Sequence, residues 1–249
     1  MAWYMAALLV WGLLFLPPAD DRLAIAAAVI PTGILLDYLL HRWQTGRPNL
    51  QSSLITATIV TLLMPSDVSL GIAVLAVVTA VGSKHFLLWR KKHIFNPAAF
   101  GVTVTAVVFG YALGWWPDSY TDYNGYFLLA VVLGISNLWR VRKFWQAASF
   151  AAGYLVLVYG LGAQQVPDLT YQTLPVLLPW FFLFFMLPEP VTSLQPRRQQ
   201  ITFGFITAVV AFGLSYVGTV SAVSLLLGLL VANAYAAAVR HQARAKALA

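Results

Sequence analysis

Apolar runs alternate with short polar punctuation from one end of this chain to the other. They cover 2–16, 22–40, 52–64, 69–83, 98–115, 125–139, 145–162, 173–187, 201–217 and 220–239. Each is read as a helix crossing a membrane, because a bilayer offers no water to backbone N–H and C=O groups and a helix satisfies them internally. No stretch remains that would fold as a soluble domain. The expectation is one all-α integral membrane domain over 1–249, with about ten transmembrane helices.

The first run, Met1 to Leu16, has the length of a signal peptide. It lacks a basic leading region, and Pro17-Pro18-Ala19-Asp20 follows without a small-x-small cleavage pattern, so it is kept as a helix. Composition agrees with a membrane origin: 60% of residues are hydrophobic, 9% are charged and the mean hydropathy is +0.78. An ordinary soluble domain carries about 25% charged residues. The absence of cysteine excludes disulfides, thiolate metal sites, protein-ligated iron–sulfur clusters and cysteine nucleophiles.

The excess of 15 Lys and Arg over 8 Asp and Glu would suggest nucleic acid in a soluble chain. Threading the ten spans removes that need. With both termini on the cytoplasmic side of a cell (inner) membrane, Arg42, Arg47, Lys84, Arg90, Lys91, Lys92, Arg140, Arg142, Lys143, Arg197, Arg198, Arg240, Arg244 and Lys246 all fall inside, and only Arg22 falls outside. The positive-inside rule supports the span count and the orientation together.

Some spans are too short to cross alone. Residues 52–64 make a helix of about 20 Å against a hydrocarbon core of about 30 Å. Leu62-Leu63-Met64-Pro65-Ser66-Asp67-Val68 closes the third span, and Phe185-Met186-Leu187-Pro188-Glu189-Pro190-Val191 closes the eighth, which runs the opposite way. Short, proline-interrupted segments at matching places in two halves point to a 5+5 inverted repeat with broken helices around a ligand site. Apolar segments also resemble one another by chance.

Lys84-His85-Phe86-Leu87-Leu88-Trp89-Arg90-Lys91-Lys92-His93 gathers cations before Phe95-Asn96-Pro97-Ala98-Ala99-Phe100-Gly101 opens the fifth span. Pro97 suits the first helical turn and Asn96 suits the cap. The same helix start can receive a phosphate or carbonyl oxygen, or it can be a capped helix beside snorkelling lysines. Trp115, Trp116, Tyr120, Tyr123 and Tyr126 read as an interfacial aromatic belt at the outer end, and Trp139 and Trp145 as its inner counterpart. His41, His85, His93 and His241 lie near the inner boundary, which disfavours a membrane b-type haem; no metal site is assigned. Asp37 and Glu189 are acids in or against apolar spans, where ionisable groups are costly and mark ion paths or ligand contacts. For Asp37, pairing with Arg42 or His41 is the competing reading.

Three stretches resemble a known family. Asn49-Leu50-Gln51-Ser52-Ser53-Leu54-Ile55-Thr56-Ala57-Thr58, with Leu62-Leu63-Met64-Pro65 beyond, resembles the "DGSxxITGLLLALxLP" region of the NqrB/RnfD membrane subunits. Lys84-His85-Phe86 with Ile94 to Gly101 is similar to that family's "KhlFGGLGxNxFNPAxxG". Pro188-Glu189-Pro190-Val191-Thr192-Ser193, with Arg197-Arg198 and Phe203-Gly204, resembles "DPVTSPxTxxGRxxyG". The resemblance implies a fold related to urea and ammonium channels, and a short flavoprotein subunit of a sodium-pumping NADH:quinone reductase or Rnf complex. Such a chain is a redox subunit of an electron transport complex and not a stand-alone enzyme.

Two departures matter. Leu87 to Lys92 replaces a glycine-rich stretch, and Asp118-Ser119-Tyr120-Thr121-Asp122-Tyr123-Asn124 lacks the Gly-Ala-Thr of the covalent FMN attachment sequence. A flavin, riboflavin or FMN, is therefore expected to be held non-covalently, by Ser53, Thr56, Thr58, Lys84, Phe95, Asn96, Glu189, Thr192 and Ser193, with no residue in a catalytic role. A soluble NAD(P)H- or ferredoxin-linked reductase would dock at the basic inner face, and quinone or an outer-side flavoprotein would accept the electrons. The competing function on the same fold is a small-solute or flavin transporter or channel.

Overall fold

A computed structural model describes residues 1–15, 21–44, 50–90, 92–116, 124–161, 178–218 and 221–246. The described residues are overwhelmingly helical. In chain order they form α1 (Ala2–Phe15), α2 (Arg22–Gln44), α3 (Leu50–Leu63), α4 (Leu70–Phe86), a two-stranded hairpin of β1 (Leu88–Trp89) and β2 (Lys92–His93), α5 (Pro97–Phe109), α6 (Asn124–Val141), α7 (Phe144–Leu161), a π-helical turn at Phe182–Met186, α8 (Arg197–Tyr216) and α9 (Ser221–Lys246). The hairpin pairs Leu88 with His93 and Trp89 with Lys92, and falls where the sequence, at Leu87 to Lys92, departs from the glycine-rich pattern of the resembling family. Among the described residues, four helices are long and apolar enough to cross a membrane: Arg22–Gln44, Phe144–Leu161, Arg197–Tyr216 and Ala222–Ala243.

The chain divides into two compact units, Met1–Leu133 and Gly134–Ala249, and the division falls within α6. In unit 1, α4 packs on α2, α3 and α5; in unit 2, α8 packs on α7 and α9. Small residues allow these approaches, as membrane helices require when no hydrophobic effect drives them together. A side chain at Gly101 would run into Ala76 and Ala80 of α4, and one at Gly204 into Gln146 and Ser149 of α7. Both glycines close stretches that carry the family resemblance.

Helix α3 shows how a short helix survives. It has 14 residues, about 21 Å of rise, and every side chain from Thr56 to Leu63 is buried. A helix apolar on all sides belongs inside a bundle, so neighbouring helices, not lipid, surround it. Its C-terminal carbonyls are then the difficulty. Beyond Leu63 the chain turns at Pro65, and Met64 N–H bonds only back to the Thr61 carbonyl, at 3.2 Å. The open carbonyls of Leu63 and Met64 accept from Gly114 N–H at 2.9 Å and from the Trp116 indole N–H at 2.8 Å.

Those donors come from a segment expected to be helical. The fifth span was expected over 98–115, but α5 stops at Phe109 because Gly110 adopts the left-handed cap, φ 72°. The chain then folds back along the broken end of α3. Trp116 is 1% exposed, with the Arg22 guanidinium 5.3 Å from its ring centre. It is therefore a buried capping residue and not a member of an interfacial belt. The helix α4 also runs three residues past its expected end at 83, which places Lys84 and His85 in its last turn.

Candidate functional site

Helices α2, α3 and α4 bring four polar side chains onto one buried carboxylate. Asp37 is fully buried. Its Oδ2 accepts from Ser53 Oγ at 2.6 Å and from Lys84 Nζ at 2.5 Å. Its Oδ1 lies 2.5 Å from His85 Nε2 and 3.0 Å from His41 Nδ1. His85 Nδ1 lies 2.9 Å from Gln44 Oε1, and the two imidazoles meet edge to face with centres 4.5 Å apart.

The local reasons are plain. Asp37, His41 and Gln44 fall on one stripe of α2 through the i, i+4 and i+7 spacing. Ser53 stands in the first turns of α3, and Lys84-His85 in the last turn of α4. A carboxylate removed from water is tolerable only when charge-paired and saturated with hydrogen bonds, and Asp37 has both. The ion pair with Lys84 leaves the cluster near neutrality, so neither group is an isolated buried charge. Of the side chains that touch Asp37, His41 is the most exposed, at 19%.

Unit 2 handles its own broken segment differently. Pro188 has no N–H for the carbonyl of Phe184, four residues earlier, and the π-helical turn disturbs the ladder further. Asn137 Nδ2 donates to Phe184 O at 2.9 Å, and Gln146 Nε2 donates to Leu187 O at 2.6 Å. Lys143 Nζ donates to Leu194 O at 2.5 Å, and Arg240 Nη1 to Val191 O at 2.5 Å.

Lys143 is fully buried. The end of α6 puts it there: Arg142 takes a left-handed conformation, φ 55°, while Lys143 N–H bonds to Leu138 O and Arg142 N–H to Trp139 O, the paired bonds of a Schellman turn. Burial pushes the Lys143 ammonium down to about 8, and the nearby Arg240 cation adds to the shift.

The expected site residues divide between the units. In unit 1, Ser53 and Lys84 meet at Asp37. Thr56 is buried and bonds back to Ser52 O at 3.2 Å, and Thr58 is buried on the same helix. Asn96 is the α5 cap, its Oδ1 accepting from Ala99 N–H at 3.0 Å, and Phe95 stacks on Phe100 with centres 5.6 Å apart. In unit 2, Glu189, Thr192 and Ser193 form one turn. Thr192 Oγ1 donates to Glu189 Oε2 at 2.7 Å, and Ser193 Oγ to Glu189 O at 2.6 Å.

The pairing expected for Asp37 with His41 is present, while Lys84, His85 and Ser53 join it from distant positions. The sequence raised Asp37 as a costly acid with Arg42 or His41 as its partner, and left Asp37, His41, Gln44 and His85 out of the cofactor site. Nothing local links Asp37 to residues 47 and 48 positions later. The altered attachment sequence, 118–124, lies outside the described residues apart from the backbone of Asn124. No family model matches the chain, and no characterised protein matches it.

Proposed function

We propose that this chain is a membrane electron-transfer subunit holding a non-covalent flavin, riboflavin or FMN, against the inner-side cluster of unit 1. One observation carries the reading. Ser53 and Lys84 belong to two of the three separate stretches that resemble the NqrB/RnfD family, and both converge on the buried carboxylate of Asp37.

The residues fit a flavin in their donor chemistry. Lys84 keeps ammonium N–H groups beyond the one spent on Asp37. Isoalloxazine supplies the electron chemistry when bound, and the protein supplies placement and electrostatics. Lys84 favours negative charge on a neighbouring group, Asp37 prevents that cation from standing uncompensated, and His85 and His41 hold exchangeable protons beside it. The basic inner ends of the helices suit docking of a soluble NAD(P)H- or ferredoxin-linked reductase. Quinone or an outer-side flavoprotein then takes the electrons. Ten spans, an inner-membrane location and cytoplasmic termini complete this reading.

A buried ionisable cluster also favours a second reading, a proton-coupled transporter or channel for a small solute or a flavin, because such clusters mark ion paths within membranes. Absorbance of the purified full chain separates the two. A flavin spectrum that bleaches with dithionite, with the flavin released by denaturation, is the expected result. Colourless protein that drives solute uptake in liposomes overturns the electron-transfer reading in favour of the second.

A further inference from the structure

The two oxygens of Asp37 are used differently. Oδ2 takes the Ser53 hydroxyl and the Lys84 ammonium, whereas Oδ1 faces, among the described residues, the two imidazoles. The other ring nitrogen of His85, Nδ1, addresses Gln44 Oε1, an atom that only accepts. Nδ1 therefore carries hydrogen, and in a neutral ring Nε2 then aims a lone pair at a carboxylate oxygen 2.5 Å away. Two lone pairs do not face each other at that distance without a cation between them.

We propose that Asp37 Oδ1, His41 Nδ1 and His85 Nε2 form a site for a divalent transition metal of the zinc class. The three atoms lie within 4.8 Å of one another. Two imidazoles and a carboxylate are a common zinc donor set, and three protein ligands leave an open position for water or a further ligand. Metal–ligand bonds of about 2.0–2.2 Å place tetrahedral ligand atoms about 3.3–3.6 Å apart. His41 Nδ1 stands 3.0 Å from Oδ1, a few tenths of an ångström short of that separation, and His85 Nε2, at 2.5 Å, has to withdraw by roughly 1 Å.

The surrounding shell is also in place. Gln44 fixes the tautomer that frees His85 Nε2, and Ser53 holds the second carboxylate oxygen, the roles outer-shell groups play around bound metals. His41 now gives its Nδ1 hydrogen to Asp37, including the backbone carbonyl at 3.0 Å. To ligate, it takes the Nε2–H tautomer. Lys84 opposes the ion, because its ammonium already balances the carboxylate. It sets an upper limit on affinity that its removal lifts. The site stands independently of flavin binding.

The test uses the full chain purified in detergent without a histidine tag, titrated with Zn²⁺ against a chromophoric chelator. One ion per chain is expected. Asp37→Asn and His85→Gln weaken binding by about tenfold or more, Gln44→Ala by about tenfold, and Lys84→Met strengthens it. Gln44 lies at the exposed end of α2, so its variant keeps the test open where the buried substitutions fail to fold. Co²⁺ added to the unaltered protein gives visible d–d bands that Zn²⁺ abolishes. Absence of a stoichiometric ion leaves a proton as the cation between Asp37 and His85 and overturns the proposal. So does an affinity that neither His41→Gln nor His85→Gln changes, or one that falls in Lys84→Met.

Discussion

Lys84 and Lys143 are both buried lysines beside helix ends, yet the protein treats them in opposite ways. Lys84 receives a full carboxylate, with a hydroxyl and two imidazoles around it. Lys143 receives a backbone carbonyl, and its nearest charged influence is another cation, Arg240. Lys84 is one half of a buried ion pair. Lys143, buried against a carbonyl and near a second cation, holds its proton weakly and serves as a donor for a chain end. Unit 1 thus builds an electrostatic site, whereas unit 2 clamps a broken helix with the same residue type.

The largest effect expected from breaking this contrast is on the paired side. Asp37→Asn leaves Lys84 as an uncompensated buried cation and costs about 3–5 kcal/mol. Its thermal midpoint in detergent should fall steeply, and adding Lys84→Met should restore most of the loss. A double variant no better than the single one would show that the two residues are not one charge unit.

Next comes the packing that holds the clamp. Gly204→Val forces a side chain into Gln146 and Ser149 of α7 and costs about 1–3 kcal/mol, read from the same melting curves. Asn96→Ala removes one helix cap and costs about 1 kcal/mol. At pH 7 the smallest effect belongs to Lys143→Met, since exchanging a buried cation for an apolar chain of similar size is near neutral.

The pH dependence sharpens the Lys143 side. Its proton is held less tightly folded, at about 8, than at the ordinary 10.5. Between those values the unfolded chain binds a proton that the folded one lacks, so this group's contribution to stability rises with pH across that window. Below about 8 both states are protonated and the full penalty of burying the charge applies. The midpoint of the unaltered protein should climb from pH 8 towards 10, and Lys143→Met should flatten that climb.

Much of the scaffold was legible because it depends on local rules. Pro65 and Pro188 marked the breaks, and Asn96-Pro97 marked a capped helix start. The partners of the breaks were not legible. Trp116, Asn137 and Gln146 reach their carbonyls across 52, 47 and 41 positions, and an indole or amide within an apolar run has no local signature of what it bonds. The electrostatic site was half legible. Asp37 stood out as a charge in an apolar helix, and Lys84 and Ser53 as members of resembling stretches. Their meeting is a tertiary event, and an α4 longer than hydropathy suggested turned His85 from an apparent boundary residue into a buried one.

Flavin content across the two lysines tests the account most directly. Bound flavin per chain should be measured by absorbance and mass spectrometry in the unaltered protein, in Asp37→Asn/Lys84→Met, and in Lys143→Met. The unaltered protein and Lys143→Met should retain flavin alike, while the unit 1 double variant, folded by its melting curve, should lose most of it. Equal retention in all three, or loss only in Lys143→Met, would contradict the assignment of the electrostatic site to unit 1.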